Sequence, residues 1–159
     1  NHHSSQSLGQ HLSRSLDAEV INQTLSRSLI NPKLAESLSF FSPLHAILVS
    51  LGTNDWVIRD SLAELRGDMF ALLGRLRKFY RSVPIILMTP LWRSDIQENT
   101  AMGSFSELSK AIVQASRCFP NVRIADGLSL SLRSNYDDQF LHPDKKAVAF
   151  LAKGLTSYF

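Results

Sequence analysis

The sequence contains few of the residues that mark several common classes of protein. Its single cysteine, Cys118, excludes an intrachain disulfide, and we expect it to be a small buried side chain. No apolar run reaches the roughly 18 residues that a membrane span needs. No Gly-rich phosphate loop follows a strand-like stretch, and the histidines are scattered apart from the pair His2-His3. We therefore expect no metal site, no cofactor and no membrane span.

Charge is also sparse and nearly balanced. Lys and Arg total 17 against 14 Asp and Glu, and the excess is not clustered, so the sequence predicts no nucleic-acid partner. The hydrophobic fraction of 44% and the charged fraction of 19% are those of a soluble globular protein. The scarcity of cysteine suits the cytoplasm of a bacterium and its periplasm or exterior equally.

Strand-like and helical stretches alternate along the chain. Apolar runs predict strands at 18–22, 46–51, 83–88 and 121–125, and apolar periodicity predicts helices at 7–16, 31–41, 57–80, 104–119 and from 144 onward. We expect Leu62, Leu65, Met69, Leu72, Leu76 and Phe79 to form the buried stripe of the long helix, and Arg66, Arg75, Arg77 and Lys78 to be solvated. This alternation predicts a central parallel sheet with helices on both faces, a three-layer α/β/α sandwich of flavodoxin-like type.

The central strand is followed directly by Gly52-Thr53-Asn54-Asp55. The carboxyl ends of parallel strands are where ligands bind in such sheets. A glycine there allows a sharp turn, and the amide of Asn54 can donate hydrogen bonds into a cleft. The alternative is an ordinary turn in which Asn54 and Asp55 cap the next helix.

A second polar stretch lies near the C-terminus, where Asp137 and Asp138 shortly precede His142. A carboxylate close to an imidazole can orient it as a general base. The two stretches together resemble blocks III and V of the SGNH (GDSL-type) hydrolases, over the chain from about Leu12 to its end. The resemblance implies that Asn54 is an oxyanion-hole donor and that Asp138 and His142 belong to a catalytic triad with a serine.

The resemblance also places block II of the family in the polar loop after Asn22. Thr24 and Arg27 stand there where the family pattern suggests glycines. A backbone N–H does not require glycine, so the resemblance implies that the backbone near Arg27 completes the oxyanion hole. The alternative is a plain surface loop.

The sequence departs from the family pattern at two further points. No Gly-Asp-Ser occurs, and the nearest match is Ser4 to Gly9, which contains Ser5. We expect a single domain over 1–159 that lacks the strand carrying block I, which would pair between 18–22 and 46–51, or else a rearranged sheet. The family pattern has Asp three residues before the His, where this chain has Gln139. We favour Asp138 over Asp137 as the partner of His142, with a backbone carbonyl as the alternative.

The resemblance implies a serine esterase that hydrolyses carboxylic esters of small acyl groups, lipids or acetylated carbohydrates. The alternative from another class is a non-catalytic domain of the same fold that binds a glycan or a protein. An unrelated doubly wound binding module is disfavoured by the missing phosphate loop.

Overall fold

A sheet of three parallel strands lies at the centre of the protein. The computed structural model describes residues 7–23, 28–41, 43–131 and 144–159. The strands are β1 (Ile47–Ser50), β2 (Ile85–Met88), β3 (Asn99–Thr100), β4 (Gly103–Ser104) and β5 (Val122–Ala125). The central sheet has the order β1-β2-β5, with Ile47 opposite Ile85 and Ile85 opposite Val122. The other two strands form a small antiparallel hairpin.

Seven α-helices lie within the described ranges: α1 (Leu8–Leu16), α2 (Leu34–Leu38), α3 (Thr53–Ile58), α4 (Leu62–Phe79), α5 (Phe105–Ser116), α6 (Gly127–Leu130) and α7 (Lys145–Leu155), followed by a 3₁₀ turn at Thr156–Tyr158. Several begin where the sequence supplies a cap. Ser7 and Ser104 each form a capping box with the residue three positions later, and Asp144 accepts the Ala147 N–H at 2.7 Å. These caps place the helix starts close to the predicted ones.

Each face of the sheet is covered by its own apolar core. Because side chains alternate along a strand, Ile85 and Leu87 point to one face, and Ile86 and Met88 to the other. Helices α2, α4 and α5 close the first core, and α1, α6 and α7 close the second. The predicted three-layer α/β/α fold is confirmed.

The single helix predicted over 57–80 is in fact two helices. Arg59 leaves α3 with extended backbone, and Ser61 starts α4 by accepting the Glu64 N–H at 3.2 Å. Most of the predicted stripe is buried, but Phe79 is 43% exposed because it is the last residue of α4. The N-cap at Ser61 therefore sets the start of α4, even though the sequence favours a helix from Val57 onward.

Two side-chain predictions were wrong. Arg77 is not a solvated cation, because its guanidinium donates to the carbonyls of Tyr80 and Val83 at 3.0 and 2.8 Å and so holds the turn between α4 and β2. Partial burial lowers the pKa of Arg77. Cys118 is exposed rather than buried, because α5 ends at Ser116 and the cysteine lies in the following turn.

The strand predicted over 18–22 does not form. Those residues are exposed, and Val20 and Ile21 are 37% and 40% accessible. Strand β1 pairs with β2 on one side, and no described segment pairs with its other edge. Direct pairing of 18–22 with β1, which would argue against an intervening strand, is therefore not observed. None of the helices in the described ranges combines the length and apolar character of a bilayer-crossing helix.

Candidate active site

The polar motif after β1 lies at the carboxyl edge of the sheet, as predicted. Gly52 makes the turn with a φ of +110°, which disfavours any other residue there. A Cβ at Gly52 would also lie 2.7 Å from Cδ1 of Ile112. The chain then enters α3 at once, so Asn54 lies in the first turn of a helix at the mouth of the sheet.

The Asn54 side chain is half-buried, and its orientation is held by one hydrogen bond. Its Nδ2 donates to the carbonyl oxygen of Ser28 at 3.2 Å. An amide nitrogen carries two hydrogens, and no other described residue accepts the second one. Within the described residues this second N–H has no acceptor, and it lies at the carboxyl end of β1.

Asp55, the next residue after Asn54, points into the interior of the protein. It is fully buried, and its Oδ1 and Oδ2 lie 3.0 and 3.2 Å from the Ile30 nitrogen, whose N–H they accept. Nε of Arg59 lies 2.7 Å from Oδ1, as an ion pair rather than as a well-aligned hydrogen bond. Burial raises the pKa of Asp55, while the Ile30 N–H and Arg59 oppose that shift. Asp55 thus anchors backbone and is not available to act on a substrate.

Arg59 extends this anchor to α4 and to the backbone before α2. Its Nη1 pairs with Oδ2 of Asp68 at 2.8 Å, and its Nη2 donates to the Ile30 carbonyl at 2.5 Å. The Arg59 side chain is 15% exposed, so these pairs are largely shielded from water. The sequence analysis assigned no role to Arg59 or Asp68. The i, i+4 spacing of Asp55 and Arg59 on a helix was the available signal.

Trp56 connects the same short helix to the loop after β2. Its indole Nε1 donates to the Gly103 carbonyl at 3.1 Å, and its ring packs edge-on against Phe105 at 5.1 Å. The Arg93 guanidinium lies 5.5 Å from the Trp56 ring centre and forms two hydrogen bonds with Asp95, at 2.7 and 2.8 Å. These bonds lower the pKa of Asp95. These contacts stabilise the conformation of the loop after β2.

A second brace joins the carboxyl ends of β2 and β5. The Thr89 hydroxyl accepts the Gly127 N–H at 2.9 Å, and the Ser131 hydroxyl accepts the Trp92 backbone N–H at 2.8 Å. A Cβ on Gly127 would lie 2.1 Å from the Thr89 carbonyl oxygen, so the two strand ends are in backbone contact. Asp126 caps α6 by accepting the Leu128 N–H at 3.3 Å. The first two of these hydrogen bonds join the loop after β2 to α6, and residues 38 and 39 positions apart in the chain leave no local pattern that predicts them.

The remaining predicted site residues lie outside the described residues. These are Ser5, Thr24, Arg27, Asp137, Asp138, Gln139 and His142. Their roles stay predictions. Of the predicted site, the structure places Asn54 at the carboxyl edge and the start of α7 two residues after Pro143.

A hollow of about 400 Å³ lies between side chains of α4 and α5, and it is lined by Leu62, Ala63, Arg66, Glu107, Lys110, Ala111 and Gln114. It contains no predicted site residue. Within the described ranges no three His, Cys, Asp or Glu side chains are grouped to hold a metal ion. We therefore place the candidate site at Asn54.

Comparison with known proteins shows which folds are similar. The chain superimposes on a salicylyl-acyltransferase, SsfX3, from a tetracycline biosynthetic pathway with a TM-score of 0.76 at 15% identity, over 94% of this chain and 47% of the other. A protein from Bacteroides ovatus described as a GDSL-like lipase gives 0.75 at 19% identity, over 95% and 47%. Est24, a carbohydrate acetylesterase from Sinorhizobium meliloti, gives 0.72 at 15% identity, over 96% and 86%.

The chain thus spans about half the length of the first two proteins and most of the third. No protein-family model and no curated protein sequence matches it. The similarity is one of fold, and it agrees with the fold expected from the two sequence blocks.

Proposed function

We propose, from its GDSL-type fold, that the protein is a serine esterase that hydrolyses carboxylic esters. The observation that carries the proposal is the placement of Asn54, which presents a side-chain N–H at the carboxyl end of β1. Donors held in this way stabilise the negative charge that develops on an ester carbonyl oxygen during attack. The sequence adds Asp138 and His142 in the order that such an esterase requires, with the Asp one residue further from the His than in the family pattern.

In the proposed reaction, a serine hydroxyl attacks the ester carbonyl while His142 removes its proton. Asp138 holds the imidazole in the correct tautomer and stabilises the imidazolium. Asn54 and the backbone N–H near Arg27 bind the oxyanion. The tetrahedral intermediate then expels the alcohol, which takes the proton from His142 and leaves an acyl-enzyme. Water, deprotonated by His142, attacks the acyl carbonyl, and the serine leaves with that proton to release the acid.

The proposed nucleophile is a serine on a strand beside β1. No described segment pairs with the second edge of β1. Unpaired strand edges are normally covered or paired in proteins. The sequence contains no Gly-Asp-Ser. We infer that a strand bearing this motif belongs to a separate segment and pairs at this edge. Ser5 is the alternative nucleophile.

The proposed substrate is an ester with a small acyl group, and acetylated carbohydrates are the first class to test. Est24, which shares this fold over most of its length, is a carbohydrate acetylesterase. Acetyl, butyryl and octanoyl esters of nitrophenol, together with acetylated xylo-oligosaccharides, separate acetylesterase activity from activity on longer acyl chains.

A second candidate is a non-catalytic domain of the same fold that binds a glycan or a protein partner. The observations that favour it are the missing Gly-Asp-Ser and the Gln139 that stands where an Asp is expected. This alternative predicts normal folding and no ester hydrolysis.

The deciding experiment is labelling with a serine-directed fluorophosphonate, followed by peptide mass mapping. We expect a label on a serine peptide in the wild type and none in a folded His142→Ala variant, because the imidazole activates the serine. A label on a Gly-Asp-Ser peptide supports the added strand, and a label on Ser5 supports the alternative nucleophile. A folded wild-type protein that takes no label and hydrolyses no ester supports the non-catalytic domain.

A further inference from the structure

Arg59 lies between two carboxylates and one backbone carbonyl. Its three nitrogens reach Asp55 at 2.7 Å, Asp68 at 2.8 Å and the Ile30 oxygen at 2.5 Å. Asp55 is fully buried and Asp68 is 39% exposed, so the pairs run from the core to the surface of α4. A planar guanidinium can bond in three directions at once, whereas a lysine ammonium on its flexible stem cannot keep the same geometry.

These contacts hold both backbone polar groups of Ile30, its N–H and its carbonyl. Ile30 donates its N–H to both oxygens of Asp55, and its carbonyl accepts from Arg59. The Ile30 side chain is 1% exposed and packs in the core. The backbone at this point therefore has little freedom to shift relative to α3 and α4.

The same piece of backbone orients Asn54. The Ser28 carbonyl, two residues before Ile30, accepts the Asn54 amide at 3.2 Å. Because the carboxamide is planar, the position of the Ser28 oxygen also sets the direction of the second Nδ2 hydrogen. A displacement of 28–30 would therefore turn the N–H that Asn54 presents at the sheet edge.

We propose that Arg59 is a positioning residue, which orients the Asn54 amide by clamping residues 28–30 through Ile30. Asp55 and Asp68 hold Arg59 in place for this task, and neither touches a substrate. Arg59 acts through backbone and through Asn54. The inference deepens the proposed esterase function and rests on it for its catalytic consequence, but the orientation of Asn54 can be measured without any activity.

The direct test is nuclear magnetic resonance of the Asn54 side-chain amide in the full chain, with the signals assigned from their loss in Asn54→Asp. We expect two resolved Nδ2 hydrogens in the wild type, one of them slowed in exchange with solvent by its bond to Ser28. In Arg59→Met we expect that hydrogen to exchange about tenfold faster, because residues 28–30 lose the contact with Arg59 and the acceptor is held less firmly. In Arg59→Lys we expect at most partial rescue.

Kinetics on the same variants measure the catalytic consequence. A small misplacement of a group that acts in the transition state can cost up to about 100-fold in rate. We expect Arg59→Met to lower kcat by about 10- to 100-fold while KM changes less than about threefold. A purely structural role would lower the amount of folded enzyme without changing the kcat of the folded fraction.

Arg75→Met is the matched control. Arg75 on α4 pairs with Glu36 at 2.7 Å, but both side chains are exposed, at 42% and 60%. We expect this variant to leave the Asn54 signals and kcat unchanged.

The inference is overturned if folded Arg59→Met keeps the wild-type Asn54 shifts and exchange rates. If Arg59→Met does not fold, Asp68→Asn is the deciding variant, because it removes the exposed carboxylate that pairs with Arg59. We expect it to change the Asn54 signals in the same direction as Arg59→Met would, but by a smaller amount. If the amide responds as expected but no variant, including the wild type, hydrolyses esters, the positioning inference stands and the proposed function fails.

Discussion

Asn54 and Asp55, neighbours in the first turn of α3, bind the same stretch of backbone at points two residues apart. Asn54 donates to the Ser28 carbonyl at 3.2 Å, and Asp55 accepts the Ile30 N–H at 3.0 and 3.2 Å. Successive side chains on a helix diverge by about 100°. One of the pair is therefore half-buried at the sheet edge, and the other is fully buried in the core.

The first prediction concerns Asn54. We expect Asn54→Ala to lower kcat by about 10²–10³, the usual effect of removing one oxyanion donor. The lost hydrogen bond to Ser28 should cost only about 1 kcal/mol of stability. Steady-state kinetics and thermal unfolding measure the two effects. Asn99→Ala, at an exposed hairpin position, is the control. Normal turnover in Asn54→Ala would exclude the assigned donor role.

The second prediction concerns the proposed base and its partner. We expect His142→Ala to abolish measurable ester hydrolysis and Asp138→Asn to lower kcat by up to about 10⁴. Asp137→Asn is the matched control, with a similar charge change one residue away and an activity near that of the wild type. If the wild type, Asp138→Asn and Asp137→Asn were equally active, a backbone carbonyl would be the group that orients His142.

The third prediction concerns pH and compares two carboxylates with opposite pKa shifts. Burial raises the pKa of Asp55, and hydrogen bonds from Arg93 lower that of Asp95, both from an ordinary value of 3.8. A raised native pKa means that the native state binds the proton more tightly. The contribution of Asp55 to stability is therefore fully present below the unfolded pKa and is lost as the pH rises through the native pKa.

For Asp95 the sign is reversed. Its contribution is present above the unfolded pKa and is lost as the pH falls through the native pKa. Urea unfolding between about pH 3 and pH 7 measures both effects. The free energy of unfolding of the wild type minus that of Asp55→Asn should fall with rising pH, and the difference from Asp95→Asn should rise. Parallel slopes would contradict the two environments described for these groups.

The fourth prediction concerns two glycines in different surroundings. A Cβ on Gly127 would lie 2.1 Å from the Thr89 oxygen and 2.5 Å from the Pro90 oxygen, whereas a Cβ on Gly67 would meet nothing within 4 Å. We expect Gly127→Ala to lower the free energy of unfolding by about 1–3 kcal/mol. Gly67→Ala, within α4, should raise it by about 0.5–1 kcal/mol. Urea titration measures both changes, and a neutral Gly127→Ala would show that β2 and β5 do not meet there.

Much of the fold could be predicted because its signals are local. The four-residue strands β1, β2 and β5 lie within the predicted apolar runs, and α1 and α5 begin one residue after the predicted helix starts at Ser7 and Ser104. The break at Ser61 was missed, because the helix was predicted to start at Val57, although the predicted buried stripe begins only at Leu62. The strand predicted over 18–22 was wrong: apolar, β-branched composition favours a strand, but a strand needs a partner, and no described residue supplies one.

One residue of the candidate site, Asn54, could also be predicted from a short-range pattern in the sequence. A small polar motif directly after a buried strand identified Asn54, because strand ends in a parallel sheet are where ligands bind. Asp55 has the same local context, yet its role is structural, and only its contact with Ile30, 25 positions away, reveals this.

The sequence by itself determined the layer architecture and the location of the motif, since both depend on periodicity and on residues adjacent in the chain. Tertiary structure alone decided which polar side chains are anchors and which offer a free donor. Arg59 reaches Asp68 and Ile30, and Thr89 reaches Gly127, across separations of 9, 29 and 38 residues. Such contacts depend on which elements pack against one another, and the periodicity of an element shows which of its faces is buried but not what that face contacts.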